Sequence, residues 1–137
     1  KMKDINGAVQ SLRSLKSKYT LVVFWDSDCG HCKKTLPELY KTYHKYKDKG
    51  FEVFAVNIEL KEINWRKFIQ EKGITDWINV IDIYHQTNFR KYYDIYSTPV
   101  LYLLNENKKI IAKRIGEEQV EELLERYLVK KEEPYIK

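Results

Sequence analysis

An α/β fold with a mixed central sheet and helices on both faces is predicted by three observations on this 137-residue chain. Short, nearly continuous apolar runs alternate with segments whose apolar residues recur at helical spacing. The runs are apolar on both faces, as inner strands of a covered sheet are. Near the end, two runs flank a polar turn and read as a β-hairpin, which brings antiparallel pairing into an otherwise parallel pattern.

The elements follow in order. Residues 5–16 place Ile5, Ala8, Val9, Leu12 and Leu15 on one stripe, predicting a helix capped by Asp4 or Asn6. A strand is expected at about 20–25, then a helix from about Gly30 to Lys49 with Cys32, Leu36, Leu39, Tyr40 and Tyr43 facing in and Gly50 closing it. Pro37 lies inside that helix and should kink it, because it removes a hydrogen bond and crowds the preceding turn. Residues 51–58 read as a second strand, and 62–72 as a helix with Trp65, Phe68 and Ile69 inward. A short strand at 77–83 and a brief helix at about 86–93 come next, carrying Phe89, Tyr92 and Tyr93. The hairpin spans 100–104 and 109–115 around Asn105-Glu106-Asn107-Lys108. A last helix after Gly116 buries Val120, Leu123, Leu124, Tyr127 and Leu128, and residues 130–137 read as a tail.

The length suits one domain, 1–137, and suffices to bury a core. Hydrophobic residues make up 43% and charged ones 33%, which excludes a disordered chain. The net charge of +5 is spread along helices with glutamates between the lysines, a solvated face rather than a nucleic-acid footprint. No apolar run approaches the roughly 20 residues of a membrane span, so this segment is not expected to insert. The chain starts at Lys1 without a signal-peptide pattern, as a mature protein or a piece of a longer one would.

Both cysteines stand two residues apart where an apolar run gives way to a helix, in Cys29-Gly30-His31-Cys32. A thiol at a helix start meets unpaired backbone N–H groups and the positive end of the dipole, both of which favour its thiolate. Cys29 is therefore the expected nucleophile. Cys32, one turn in and more buried, is expected to stay protonated until it resolves a mixed disulfide. A zinc site is disfavoured, since outside the motif only His44 and His85 remain as soft ligands. Haem attachment needs His directly after the second cysteine, where Lys33 stands. No metal and no cofactor beyond a redox-active Cys29–Cys32 disulfide are expected. His31 is expected to support the Cys29 thiolate and so make the disulfide more oxidising. Gly30 is expected to let the chain turn tightly into the helix. Trp25 and Phe24 flank the site, Trp25 as part of its wall or as core, and Asp26 and Asp28 add negative charge beside Cys29. The many tyrosines, Tyr40, Tyr43, Tyr46, Tyr92, Tyr93 and Tyr96 among them, read as core or groove lining.

With its strand, Cys-x-x-Cys, Pro37 and Thr98-Pro99, the sequence resembles the thioredoxin superfamily over about residues 18–129, with 130–137 beyond it. The extra chain at about 60–85 and Val56-Asn57-Ile58 are similar to the TlpA-like branch, and Cys-Gly-His-Cys to protein disulfide isomerases. The resemblance implies a thioredoxin-like fold with a helix–strand insert and thiol–disulfide oxidoreductase activity on protein disulfides. It further implies a cis Pro99, with Thr98 backbone groups lining the substrate groove. An upstream thiol–disulfide donor and a periplasmic or other extracytoplasmic bacterial location are implied too, and the chain is expected to be a monomer. Two departures stand out: Val23 replaces the family's buried strand acid, and Asp28 replaces the tryptophan before the first cysteine. Some TlpA-like proteins use a glutamate after the next strand, for which Glu59 is the favoured candidate over Glu62. The alternative is a redox-silent module that uses the groove beside Pro99 to hold peptide.

Overall fold

The computed structural model describes residues 2–59, 62–81 and 98–132. The expected helix at 86–93, with Phe89, Tyr92 and Tyr93, lies outside these residues, as do Tyr96, His85 and the tail from 133 onward. Among the described residues the strands are β1 (Met2–Asp4), β2 (Val9–Gln10), β3 (Tyr19–Trp25), β4 (Phe51–Asn57), β5 (Ile78–Ile81), β6 (Val100–Leu104) and β7 (Ile110–Lys113). The helices are α1 (Gly30–Tyr46), α2 (Glu62–Lys72) and α3 (Glu117–Leu124), the last running on into a wider turn at Glu125–Val129.

The strands form one mixed sheet in the order β2-β1-β5-β4-β3-β6-β7. β3 is its axis, parallel to β4 and antiparallel to β6. Its period-two alternation divides the interior. Leu21, Val23 and Trp25 point into a core shared with Leu36 and Leu39 of α1, Trp65 and Ile69 of α2, and Val120 and Leu124 of α3. Val22 and Phe24 point the other way, with Phe54, Val56, Val80 and Tyr102, and there Leu12 and Leu15 pack against them. Pro37 sits within α1, which continues past it as one 17-residue helix. The β6–β7 turn closes on Asn105, whose Oδ1 accepts from the backbone N–H groups of Asn107 and Lys109, each at 3.0 Å.

The helix predicted at 5–16 is not formed. β1 and β2 pair there as an antiparallel hairpin, and β1 adds to the edge of β5. The reason is local. Gly7 takes φ +83°, a left-handed conformation that glycine adopts freely, directly after Asn6. The Asp4 carboxylate accepts from the N–H groups of Asn6 and Ala8 at 2.9 Å and from Gln10 Nε2 at 2.8 Å. Such side-chain bonds to nearby backbone compete with a helix and here replace it. Leu12 and Leu15 still face the core, by way of a short 3-10 turn at Leu12–Ser14.

Asp4 ionises more readily than usual. Slight burial pushes its carboxyl up, but the bonds from Gln10, Ala8 and Asn6 outweigh it and hold it below the ordinary 3.8. A depressed carboxyl contributes stability above its unfolded value and loses it as pH falls through the folded one. Asp4→Ala should therefore lower stability by about 0.5–1 kcal/mol at neutral pH, given the exposure of these bonds. In urea unfolding, the gap from the unsubstituted chain should close as the pH drops below 3.8.

Candidate active site

The site is built where β3 ends. Trp25 O accepts from Ile58 N at 3.0 Å, which carries the β3–β4 ladder one step past the strands. Asp26, Ser27 and Asp28 then turn the chain, with Cys29 N donating to Asp26 O at 3.4 Å. Cys29 is the N-cap of α1, in an extended conformation at φ −76°, ψ 112°. Its Sγ accepts from Cys32 N at 3.0 Å, the bond that Ser or Asp usually makes at this position. Lys33 N donates to Cys29 O at 3.2 Å and begins the helical ladder. The first thiol is thus held against free helix N–H groups at the positive end of the macrodipole.

The two thiols are free and differ in exposure. Cys29 is half-buried, whereas Cys32 has no exposed surface. Burial pushes the Cys32 thiol up to about 12, and hydrogen-bond contact with Cys29 adds to this. Hydrogen bonds from the Asp26 backbone and the Thr98 side chain pull in the other direction without restoring it. Cys32 is therefore a neutral thiol across the physiological range.

The segment before β6 closes the site from the opposite side. The Thr98–Pro99 peptide bond is cis. Thr98 O accepts from Cys29 Sγ at 3.2 Å, and Thr98 Oγ1 donates to Asp26 Oδ2 at 3.3 Å. Thr98 thereby touches the first cysteine with its backbone and the preceding loop with its side chain.

Glu59 lies just past β4, and its carboxylate holds the loop. Oε1 accepts from the backbone N–H of Ser27 and, at 3.0 Å, from Asn57 Nδ2, while Glu59 N donates to Asn57 Oδ1 at 2.8 Å. Glu62 begins α2 and pairs with Arg66 at 3.2 Å, away from this cluster. His31 and Asp28 are exposed, His31 in the first turn of α1.

Two expectations need correction. Trp25 is not a wall of the site: it has no exposed surface and packs beneath, its ring centred 4.7 Å from that of Phe68. Residue alternation explains this, since Trp25 shares its face with Leu21 and Val23 in the α1-side core. Phe24 is buried on the other face. Gly30 is not required by a tight turn. It is the first helical residue, outside the glycines with positive φ, and a Cβ there would meet nothing within 4 Å.

Sequence reading saw Asp26 only as a nearby charge and missed Asn57. The structure ties Asp26 to Thr98 and uses Asn57 to set Glu59. A polar residue abutting the end of a buried strand was the one available signal at each position. Tyr40, Tyr43, His44 and Trp77 form an aromatic cluster behind the helix, with Tyr43 Oη donating to Asp76 O at 3.3 Å. Among the described residues no three His, Cys, Asp or Glu side chains gather as a metal site.

This arrangement, a half-exposed capping thiol beside a buried one and facing a carbonyl, can carry out thiol–disulfide exchange. The comparisons with known proteins agree with it. The Redoxin family model matches residues 2–128. The thiol-disulfide oxidoreductase ResA of Halalkalibacterium halodurans is 31% identical over 133 residues, covering 90% of this chain and 70% of that protein. A domain of a possible thiol-disulfide isomerase from Cytophaga hutchinsonii superposes with a TM-score of 0.86 at 47% identity, covering 96% of this chain and 90% of that one. The thioredoxin domain of a thiol-disulfide oxidoreductase from Bacteroides vulgatus gives 0.85 at 32% identity, covering 93% and 91%. With the family model spanning nearly the whole chain, this protein belongs to the Redoxin family and is a thioredoxin-like thiol–disulfide oxidoreductase.

Proposed function

We propose that the chain reduces or isomerises protein disulfides through Cys29 and Cys32, outside the bacterial cytoplasm. The observation that carries the reading is the unequal pair itself: one capping thiol open to solvent, the other sealed at its side. The Cys29 thiolate attacks a substrate disulfide, forming a mixed disulfide and releasing one substrate thiolate, which takes up a proton. Cys32 then loses its proton and attacks Cys29 Sγ. The Cys29–Cys32 disulfide forms, the mixed disulfide breaks, and the second substrate sulfur leaves as a thiol. Two electrons have passed to the substrate, and an upstream dithiol donor returns them by the reverse exchange. Thr98 O and its neighbours present backbone to an extended substrate segment, and Glu59 keeps the loop before Cys29 in place. The location is supported by the TlpA-like resemblance, and the site works as a single domain without a bound cofactor.

Insulin reduction tests the assignment. Cys29→Ser should abolish it, and Cys32→Ser should accumulate a trapped mixed disulfide visible by mass spectrometry. Turnover retained in Cys29→Ser would sink the reading.

The burial of Cys32 gives a separate expectation. A thiol raised to about 12 stays protonated below that pH, so in Cys29→Ser iodoacetamide at pH 7–8 should leave Cys32 unmodified until the chain is unfolded.

His31 adds a positive or hydrogen-bonding group beside the pair and stabilises the dithiol form. Equilibrium with glutathione should place the couple above thioredoxin, at about −270 mV, toward protein disulfide isomerase, at about −180 mV. His31→Ala should make it more reducing by roughly 30 mV.

A further inference from the structure

We propose that Asp26 is a positioning residue for extended polypeptide substrates, a role that rests on the Cys29/Cys32 exchange put forward above. Its carboxylate latches the Thr98 side chain and so holds the Pro99 segment as a pairing edge beside Cys29. Thr98 Oγ1 donates to Asp26 Oδ2 at 3.3 Å, across 72 residues of chain. The carbonyl of the same threonine accepts from Cys29 Sγ at 3.2 Å. Two bonds thus tie the nucleophile and its loop to one residue of the opposite segment.

The latch has a defined place in the sheet. β3 and β6 are antiparallel, and Phe24 opposes Val100 at the end of their ladder. Antiparallel partners advance in opposite directions, so two steps further on Asp26 comes to face Thr98. Between them the ladder would have to run through Pro99, which has no N–H to donate. Strand pairing stops at Val100, and a side-chain pair takes over where the main chain cannot continue. Asp26 and Thr98 are both half-buried, so water competes less for their bond than it would at an exposed position.

The bond from Cys29 cannot hold the edge through a reaction. Once Cys29 joins a substrate sulfur, its Sγ carries no hydrogen and no longer donates to Thr98 O. That carbonyl is then released as an acceptor for a backbone N–H of the attached substrate segment. The bond to Asp26 does not involve the sulfur and persists through the change. Asp26 is itself well seated: its backbone O accepts from Cys29 N at 3.4 Å, and Glu59 grips the next residue, Ser27. The edge is therefore fixed to the loop and, through Glu59, to the end of β4. A small disulfide has no backbone to lay along this edge, so the latch should serve peptide substrates selectively.

Stopped-flow mixing of the reduced chain with two neutral disulfides tests this. One is dipyridyl disulfide; the other is an extended peptide of serines and threonines with a single cysteine, activated by the same thiopyridyl group. In both, the Cys29 sulfur bonds to one sulfur of the disulfide, the other leaves with the electron pair, and thiopyridone is read by its absorbance. The ratio of the peptide rate to the dipyridyl rate should fall about fivefold in Asp26→Ala, as expected for one lost hydrogen bond. Thr98→Val, which changes no charge, should lower the ratio equally, and the double variant should lower it no further. Thr98→Ser keeps the hydroxyl and should restore it. Cooperative urea unfolding shows that each variant is folded, and Thr98→Val carries the test alone if Asp26→Ala is not. A carboxylate acting only by its charge would shift both rates together in Asp26→Ala and leave the ratio in Thr98→Val as it was. An unchanged ratio in either folded variant, or one in Thr98→Ser as low as in Thr98→Val, overturns the latch. A resolving Cys32 must expel a second thiopyridone from dipyridyl disulfide, so fewer than two per unsubstituted chain overturns the Cys29/Cys32 exchange and the latch with it.

Discussion

Cys29 joins three parts of the chain that are distant in sequence. Its backbone ends the loop from β3, its sulfur takes the place of a capping side chain on α1, and its S–H reaches the carbonyl of Thr98, 69 residues away. The capping bond ties reactivity to folding. The same N–H group that satisfies the helix end also stabilises negative charge on sulfur, so the site is formed as soon as α1 docks. β3 makes the docking possible, because one of its faces supplies Leu21, Val23 and Trp25 to the core that holds α1.

The loop between β3 and α1 is short and polar, and it is anchored from both sides. Glu59 grips the backbone of Ser27 from the β4 side, and Thr98 bonds to the carboxylate of Asp26 from the β6 side. Substitution within the loop therefore acts on Cys29 and on the Pro99 segment together. A carboxylate directly beside the thiols would be unwelcome on electrostatic grounds. Asp26 is instead tied to the Thr98 hydroxyl, which fastens the loop to the segment that carries Pro99.

The centre of the fold was legible because several signals agreed there. The apolar run of β3, the paired cysteines, Pro37 and the stripe of α1 all point to one strand–helix unit, and the structure has it. The N-terminal segment misled because Ile5, Ala8, Val9, Leu12 and Leu15 fit a helical period by chance. The asparagine–glycine pair at 6–7 and the acceptor at Asp4 decided otherwise. Trp25 was misplaced because adjacency in sequence to Asp26 says nothing about which face of the sheet it occupies. The Asp26–Thr98 bond spans 72 residues and has no local signature, so no pattern in the sequence could have shown it.

The hairpin at the start of the chain also closes one border of the sheet. Without β1, the strand β5 would present its unpaired backbone to any extended polypeptide nearby, an open invitation to aggregate. β1 occupies that edge, and the strand beyond it, β2, is only two residues long. At the opposite border β7 is four residues long and ends in Lys113, a poor template for strand addition. Among the described residues both borders of the sheet are thus blunted against the addition of a further strand.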